Sequence, residues 1–329
     1  MINKIYVKIR DYIKSNWKFL LFLIVFIFLL NYRLPYVINT PGGHVNLEDR
    51  ININGGSKQS GSYNMAYVKM VYATPMTMML SYVIPNWDAD KLEDVTLEGQ
   101  SLEELEAYQK INMNSSKDIA TIVAYKKASK GVIDIKSLLN VTYIINEENT
   151  ELKIGDIIYE VNNIKNPSIE DIKNYLSTKK EGDSVIISVL RDDKIIKTSS
   201  VIDENKKVGI SFIETYEYKT TPKIELDLKE SESGPSGGFM MSLAIYDTLV
   251  KEDLTKGRKI VGTGTIDIDG NVGEIDGIKY KLLGNKDADI FFCSEYNYKE
   301  AKKVVDKYDL DVKLVMVKTL SDAIEYLKK

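Results

Sequence analysis

The strongest constraint on how this chain can fold is a run of twelve apolar residues near its N-terminus, from Phe19 to Leu30. The run continues with few polar residues to Ile38, and the stretch from Trp17 to Ile38 can cross the hydrocarbon core of a bilayer as a helix. Five basic residues precede it: Lys4, Lys8, Arg10, Lys14 and Lys18. Because basic flanks stay in the cytoplasm, we predict a cytoplasmic N-terminus (1–18), a transmembrane anchor (19–38) and an extracytoplasmic remainder.

A cleaved signal peptide has the same basic start and apolar middle, and is the alternative interpretation of this segment. A cleavage site requires small residues after the apolar run, and here the run is followed by Asn-Tyr-Arg-Leu-Pro-Tyr at residues 31–36. This pattern favours an uncleaved, single-pass anchor in the cell membrane. Either interpretation places the bulk of the protein outside the cytoplasm.

The composition narrows the possible partners. The net charge is −4, and no basic stretch is interleaved with aromatic residues, so nucleic acid is not an expected partner. The chain has no Walker-type phosphate loop, and free ATP is not expected outside the cytoplasm. We therefore predict no nucleotide, no metal and no other cofactor.

Two rare residue types restrict the catalytic chemistry further. The only histidine, His44, follows Pro-Gly-Gly in what we interpret as a loop, so a Ser-His-Asp triad or a histidine-rich metal site is not expected. The only cysteine, Cys293, lies in an apolar run and is predicted to be a small buried side chain. If the protein is an enzyme, its base is a lysine or a carboxylate.

Residues 39–130 are the least informative part, and we interpret them as an extracytoplasmic α/β connecting region. Alternating apolar residues predict short strands at 45–54 and 63–74. Helical spacing predicts two helices, at 101–111 and 116–129, the first with a capping box at Ser101. The methionines between Met70 and Met79 suit either a soft binding surface or packing in a core or beside the membrane.

Residues 131–203 show a regular order of strands and turns around the block Leu-Lys-Ile-Gly-Asp-Ile-Ile at 152–158. A short helix capped by Ser168 follows, and then a strand from Ser184 to Arg191. This order resembles a bacterial PDZ domain, which implies binding of an extended peptide along a sheet edge. The expected carboxylate-binding loop lacks its usual motif, and Asn140–Tyr143 occupy its approximate place. A small structural domain without a ligand is the alternative.

The chemistry is predicted near the sequence Glu-Ser-Gly-Pro-Ser-Gly-Gly at residues 232–238, which precedes an apolar helix. Ser236 would lie at the N-terminus of that helix, where backbone N–H groups can stabilise an oxyanion. We therefore select Gly234, Pro235 and Gly237 as the backbone around the oxyanion. By helix-capping statistics alone, Ser236 would simply be a cap.

A serine in this position needs a base, and Lys279, at the start of a second helix, is the candidate. It could accept a proton near neutral pH only if it were desolvated.

The two stretches together resemble the proteolytic domain of the Lon family, through Gly-Pro-Ser-Gly-Gly at 234–238 and Asp-Gly-Ile-Lys-Tyr-Lys at 276–281. The interval from Ser236 to Lys279 is 43 residues, which matches the family's spacing. The resemblance implies Ser236 as nucleophile, Lys279 as general base and Thr263 as the residue that orients the lysine. Lys281 also matches a family position, but is expected at the surface or in a supporting role. The residue before the motif is Ser233 where the family usually has Asp, and Gly237 replaces Ala.

The sequence as a whole is therefore predicted to be an α+β multidomain protein with a membrane anchor, a PDZ-like domain at 131–203 and a Lon-type domain at 207–329. It resembles the membrane-anchored PDZ and Lon-type serine proteases of Gram-positive bacteria. The resemblance implies an ATP-independent endopeptidase that cleaves extracytoplasmic or membrane-tethered proteins and that can oligomerise. Two alternatives remain: a non-catalytic adaptor with a relic protease domain, and a hydrolase of small esters or amides.

Overall fold

The computed structural model describes residues 2–96, 100, 102–145, 147–229 and 234–329. The predicted cap at Ser101 and the departure at Ser233 lie outside these residues. In chain order the elements are α1 (Ile2–Asn31), β1 (Tyr36–Asn46), β2 (Ile51–Ile53), β3 (Ser62–Tyr72), α2 (Pro75–Ser81), β4 (Asp88–Lys91), α3 (Leu92–Val95), α4 (Leu102–Lys127), β5 (Gly131–Ile144), β6 (Ile157–Val161), β7 (Ile164–Lys165), α5 (Ile169–Ser177), β8 (Ser184–Arg191), β9 (Lys194–Val201), β10 (Ile210–Thr221), β11 (Ile224–Leu226), α6 (Gly238–Val250), β12 (Lys259–Gly262), β13 (Thr265–Ile266), β14 (Val272–Gly273), α7 (Ile278–Leu283), β15 (Ile290–Ser294), α8 (Glu295–Tyr308), β16 (Lys313–Val317) and α9 (Leu320–Lys328).

The elements form two compact units, and the smaller one comprises residues 1–41 and 68–98. It contains the long helix α1, which has the length and composition of a membrane-spanning helix over Ile5–Asn31. After α1 the chain enters β1, whose first residues pair antiparallel with β4. The short helix α2 packs beside α1 in this unit.

The larger unit comprises residues 42–67 and 99–329 and is centred on a sheet of parallel neighbours in the order β16, β15, β12 and β3. Successive residues of β15 point to opposite faces, so Phe292 joins one buried cluster and Phe291 and Cys293 join another. Helices α4, α6 and α9 supply side chains to the first cluster, and α7 and α8 supply side chains to the second. The result is an α/β sandwich with helices on both faces of the sheet.

The prediction of a separate connecting region at 39–130 is wrong for much of that stretch. Leu47, Tyr63, Met65 and Met113 share one buried cluster with Phe239 of α6, so these residues complete the core of the C-terminal domain. The two predicted helices at 101–111 and 116–129 are one continuous helix, α4. Periodicity located its apolar positions but did not show that the polar residues between them continue the helix.

The second sheet of the larger unit has the strand order β10, β5, β6, β8 and β9, with β7 paired to β6. Its own buried cluster includes Leu139 and Ile158 from the sheet and Ile172 and Leu176 from α5. The predicted capping box at Ser168 is confirmed, because its side chain accepts a hydrogen bond from the Asp171 N–H. The strand and helix order predicted for 131–203 is confirmed as well, except that two predicted strands merge into β5.

This sheet joins the first core through a long antiparallel ribbon made of β5 and β10. At one end Gly131 pairs with Thr221, and at the other Ile144 pairs with Ile210. Val132 packs against the cluster that contains α6, whereas Leu139 belongs to the cluster that contains α5. The β-rich domain is therefore inserted between α4 and β11, two elements of the α/β domain.

Candidate active site

Ser236 lies in a single 3₁₀ turn, Pro235–Gly237, directly before α6. Its carbonyl oxygen accepts hydrogen bonds from the Gly264 N–H at 2.8 Å and from the Thr263 Oγ1 at 3.1 Å. The carbonyl of Pro235 accepts a hydrogen bond from Ser116 Oγ of α4 at 3.2 Å. The turn is therefore held from two sides, which fixes the backbone that presents the serine hydroxyl.

Backbone conformation and tight packing explain why glycine occupies two positions next to Ser236. Gly234 adopts a φ of 140°, which side chains disfavour. A Cβ on Gly238 would lie 2.5 Å from Ser116 Oγ, the hydroxyl that holds Pro235. Of the three residues predicted to surround the oxyanion, Gly234 and Gly237 have an N–H group, but Pro235 has none and cannot donate. Pro235 therefore acts on the conformation of the turn only.

Lys281 provides the second part of the site. It lies on α7 with only 4 % of its surface exposed, and its Nζ donates a hydrogen bond of 3.1 Å to Thr263 Oγ1. Thr263 follows β12 at the carboxyl end of the parallel sheet, the usual edge for sites in such folds. Thr263 thus contacts both the lysine and the backbone of Ser236.

Burial governs the charge state of this lysine. Desolvation lowers the pKa of Lys281 to about 8, against a weaker opposing influence of the Asp276 carboxylate. An amine with that pKa is partly neutral at mildly alkaline pH, and only the neutral form can accept a proton. Of the two expectations for Lys281, a surface position or a supporting role, the surface position is wrong, because the side chain is buried.

Lys279 lies in a different environment. It is half-buried, and its Nζ lies 5.1 Å from the ring centroid of Tyr280. Two residues along a helix rotate a side chain by about 200°, so Lys279 and Lys281 project from opposite faces of α7. The resemblance implies that Thr263 orients Lys279, but in the structure Thr263 Oγ1 accepts a hydrogen bond from Lys281.

A buried amide fixes the C-terminal end of α7. Asn285, with 0 % of its surface exposed, donates hydrogen bonds to the carbonyls of Lys281 at 2.8 Å and Gly43 at 2.9 Å. Its Oδ1 lies 2.7 Å from Nδ1 of His44, which therefore carries the proton on that nitrogen. The only histidine of the chain is in strand β1, and the prediction that it lies in a loop is wrong.

The edge of the second sheet forms another candidate site, for peptides. Strand β10 is the terminal strand and pairs with β5 on one side. The carbonyls of Ser211 and Ile213 accept hydrogen bonds from β5 side chains, so these residues face β5. Because strand residues alternate, the N–H and C=O groups of Ile210, Phe212 and Glu214 point towards the open edge.

Apolar side chains line the surface next to this edge. Ile210 and Phe212 pack against the same cluster as Ile169 and Tyr175 of α5. Gly209, with a φ of 64°, makes the turn into β10. The expected place of the carboxylate loop, Asn140–Tyr143, is wrong, because these residues lie inside β5. The turn at Gly209 directly precedes the edge strand.

Comparison with known families gives two matches, which between them cover residues 123–328. The model of the Lon protease (S16) C-terminal proteolytic domain matches residues 185–328, and the PDZ domain model matches residues 123–201. The chain contains a Lon-type proteolytic domain and a PDZ domain. A comparison with curated proteins found no match. Ser236, Thr263 and Lys281 all lie within the Lon match, and the α5 and β8 elements lie within the PDZ match.

Proposed function

We propose that this Lon-type protease is an ATP-independent serine endopeptidase with Ser236 as nucleophile and Lys281 as general base. The observation that carries the proposal is the hydrogen-bonded series Lys281 Nζ, Thr263 Oγ1 and Ser236 carbonyl, which brings a desolvated amine to the turn of the serine. Lys279, which matches the family's spacing in the sequence, is only half-buried, and its Nζ lies over the ring of Tyr280. The lysine role therefore passes to Lys281, at an interval of 45 residues from Ser236.

The mechanism follows from these positions. Neutral Lys281 accepts the hydroxyl proton as Ser236 attacks the peptide carbonyl, and the resulting ammonium then donates a proton to the leaving amine. Lys281 next removes a proton from the water that hydrolyses the acyl-enzyme. N–H groups of the turn before α6 stabilise the oxyanion, with the positive end of the helix dipole behind them.

The PDZ domain supplies a second point of contact with substrate. Its open β10 edge suits an extended segment that adds one strand to the sheet, and Ile210 and Phe212 give apolar contacts to alternate side chains. Unfolded segments meet these requirements because their backbone groups are unpaired. We therefore propose unfolded or membrane-tethered proteins as substrates.

The proposed location rests on α1. Its apolar part follows five basic residues, which favours a single-pass cell-membrane anchor with the N-terminus in the cytoplasm and the protease domain outside. A cleavable signal sequence is the other explanation for the same helix, and N-terminal sequencing of the mature protein distinguishes the two.

The test compares the full chain in detergent with Ser236→Ala and Lys281→Ala, using an unfolded protein as substrate. The full chain is preferable because β1 begins at Tyr36, and truncation at residue 40 would remove part of that strand. We expect turnover by the wild type near pH 8 and none by either variant. Absence of turnover by all three proteins would favour the non-catalytic adaptor. Cleavage of small esters, without cleavage of proteins, would favour a hydrolase of small esters or amides.

A further inference from the structure

A second element of the smaller unit has the properties of a membrane-contacting surface. The segment from Met70 to Trp87 contains no charged residue, and Lys69 and Asp88 bound it on either side. It includes α2, whose sequence Pro-Met-Thr-Met-Met-Leu-Ser is rich in methionine, and the turn that follows. Such an uncharged stretch is ordinarily buried in a core.

The structure leaves this stretch open to its surroundings. α2 has no buried residue, although four of its seven side chains are Met or Leu. Met79 is 62 % exposed, and the next turn presents Tyr82 at 85 % and Val83 at 77 %. Contiguous apolar exposure of this kind marks an interaction surface, unlike single exposed side chains. We call α2 together with residues 82–84 the α2 surface.

The position of the α2 surface indicates what covers it. α2 packs beside α1, and the Leu34 N–H, just after α1, donates to the Ala73 carbonyl at 2.8 Å. The guanidinium of Arg33 lies over the Tyr72 ring at 5.2 Å, and Tyr82 and Trp87 are in the same segment. Arginine, tyrosine and tryptophan at the end of an apolar helix are typical of the bilayer interface.

The backbone of the α2 surface is also suited to a weakly hydrated environment. Thr74 and Thr77 form a reciprocal capping box, which satisfies N–H groups at the start of α2. At its end, the N–H groups of Val83 and Ile84 both donate to the Leu80 carbonyl, at 3.0 and 2.8 Å. Polar backbone groups that are already paired can enter the interface without losing hydrogen bonds to water.

We infer that the α2 surface inserts into the outer interface of the lipid bilayer next to α1, as a second contact with the membrane. This inference rests on the proposed membrane anchor. Continuity with α1 and the absence of charge favour lipid over a protein partner, because a protein surface of this size usually has a polar rim. Methionine side chains suit such a surface, since they adapt to a disordered acyl boundary.

The test places a fluorophore on introduced cysteines of the full chain in vesicles of phosphatidylcholine and phosphatidylglycerol. Cys293 is fully buried, and burial raises the pKa of its thiol to about 12, so it does not compete for the label. Tyr82→Cys reports on the α2 surface, and Val83→Cys is a second probe of the same surface. Phe26→Cys reports on the anchor, and Ile186→Cys is the matched control, an apolar PDZ side chain that is 61 % exposed.

Quenching by a nitroxide on the lipid acyl chain is compared with quenching by iodide in water. We expect lipid quenching at 82 and 83 to exceed that at 186 at least about twofold, with the reverse order for iodide. If the lipid nitroxide quenches the probe at 26 while iodide quenches the probes at 82 and 83, the inference is overturned and the anchor is kept. Probes at 82 and 83 that are protected from both quenchers show a protein cover, including a second copy, and overturn it too. A probe at 26 outside lipid removes the anchor itself.

Discussion

The two faces of helix α7 bear lysines of very different character. Lys281 is desolvated against the protein interior and bonded to Thr263, whereas Lys279 is half-buried next to Tyr280. Both belong to one short motif, and the two side chains are chemically identical. We therefore propose the base from the face of the helix on which a lysine lies, because burial is what lowers the pKa of Lys281.

The largest effect should come from exchanging each lysine in turn. Lys281→Ala removes the proposed base, and we expect kcat/KM for an unfolded protein to fall by about 10³ or more. Lys279→Ala should change it by less than about threefold, because that amine is only half-buried and lies over the Tyr280 ring. Steady-state kinetics on the full chain decides the comparison. The reverse order of the two variants would return the base to Lys279.

Thr263→Val should have the next largest effect. Valine has nearly the same shape, but it removes both the acceptor for Lys281 Nζ and one donor to the Ser236 carbonyl. We expect kcat to fall by about 10- to 100-fold with KM little changed, because positioning of the base is lost and binding is not. Retention of the fold is checked by circular dichroism. Wild-type turnover would show that the lysine positions itself without the hydroxyl.

The pH dependence gives a sharper view of Lys281. Since the neutral amine is the active form and its pKa is about 8, kcat/KM should rise with pH up to that value and level off above it. The same midpoint is expected for Lys279→Ala. A pH profile of peptide cleavage measures both. A midpoint near the ordinary lysine value of about 10.4 would mean that the base is a solvated amine.

Asn285→Ala should produce a smaller change by loosening the end of α7. The carbonyl of Lys281 loses its side-chain donor, and we expect kcat to fall by about tenfold with the pH midpoint shifted upwards, as water reaches the amine. Asn140→Ala is the matched control, since that buried amide makes three hydrogen bonds within the PDZ sheet. If the two variants melt at the same temperature as each other and neither shifts the pH midpoint of activity, the role of Asn285 is purely structural.

The smallest expected effect is on stability. Lys281→Met replaces a buried amine by an apolar side chain of similar length, and should raise the free energy of unfolding by about 1–3 kcal/mol at pH 7. The gain should shrink as pH rises above about 8, because the wild-type amine is then neutral in the folded state. Urea denaturation at pH 7 and pH 9.5 measures it. A loss of stability would show that the ammonium is well paired in the fold.

Much of this architecture was predictable from local patterns. The PDZ strands and the capped helix at Ser168 have signals within a few residues. The proposed nucleophile, Ser236, and Thr263 both lie in short motifs, and the structure joins them through the hydrogen bond from Thr263 Oγ1 to the Ser236 carbonyl. What could not be predicted depended on distant contacts, such as the contribution of Tyr63 and Met113 to the core around α6.

The burial of Lys281 rather than Lys279 could have been predicted from the helical periodicity of α7. Ile278, Lys281 and Leu282 follow the i, i+3, i+4 spacing of one helix face, and all three are buried. Lys279 falls outside that face. The interval of 43 residues from Ser236 favours Lys279, whereas the helical periodicity favours Lys281.

The antiparallel ribbon of β5 and β10 brings the two ends of the inserted domain side by side, with Gly131 opposite Thr221. A domain inserted in this way can be removed or replaced as a unit, because its two chain ends are adjacent. Its loss or exchange leaves two chain ends that a short turn can reconnect, and the face of α4 that packs against β5 and β10 is the part of the protease fold that would need a new cover. Lineages could therefore change what the enzyme captures without rebuilding what it cleaves with.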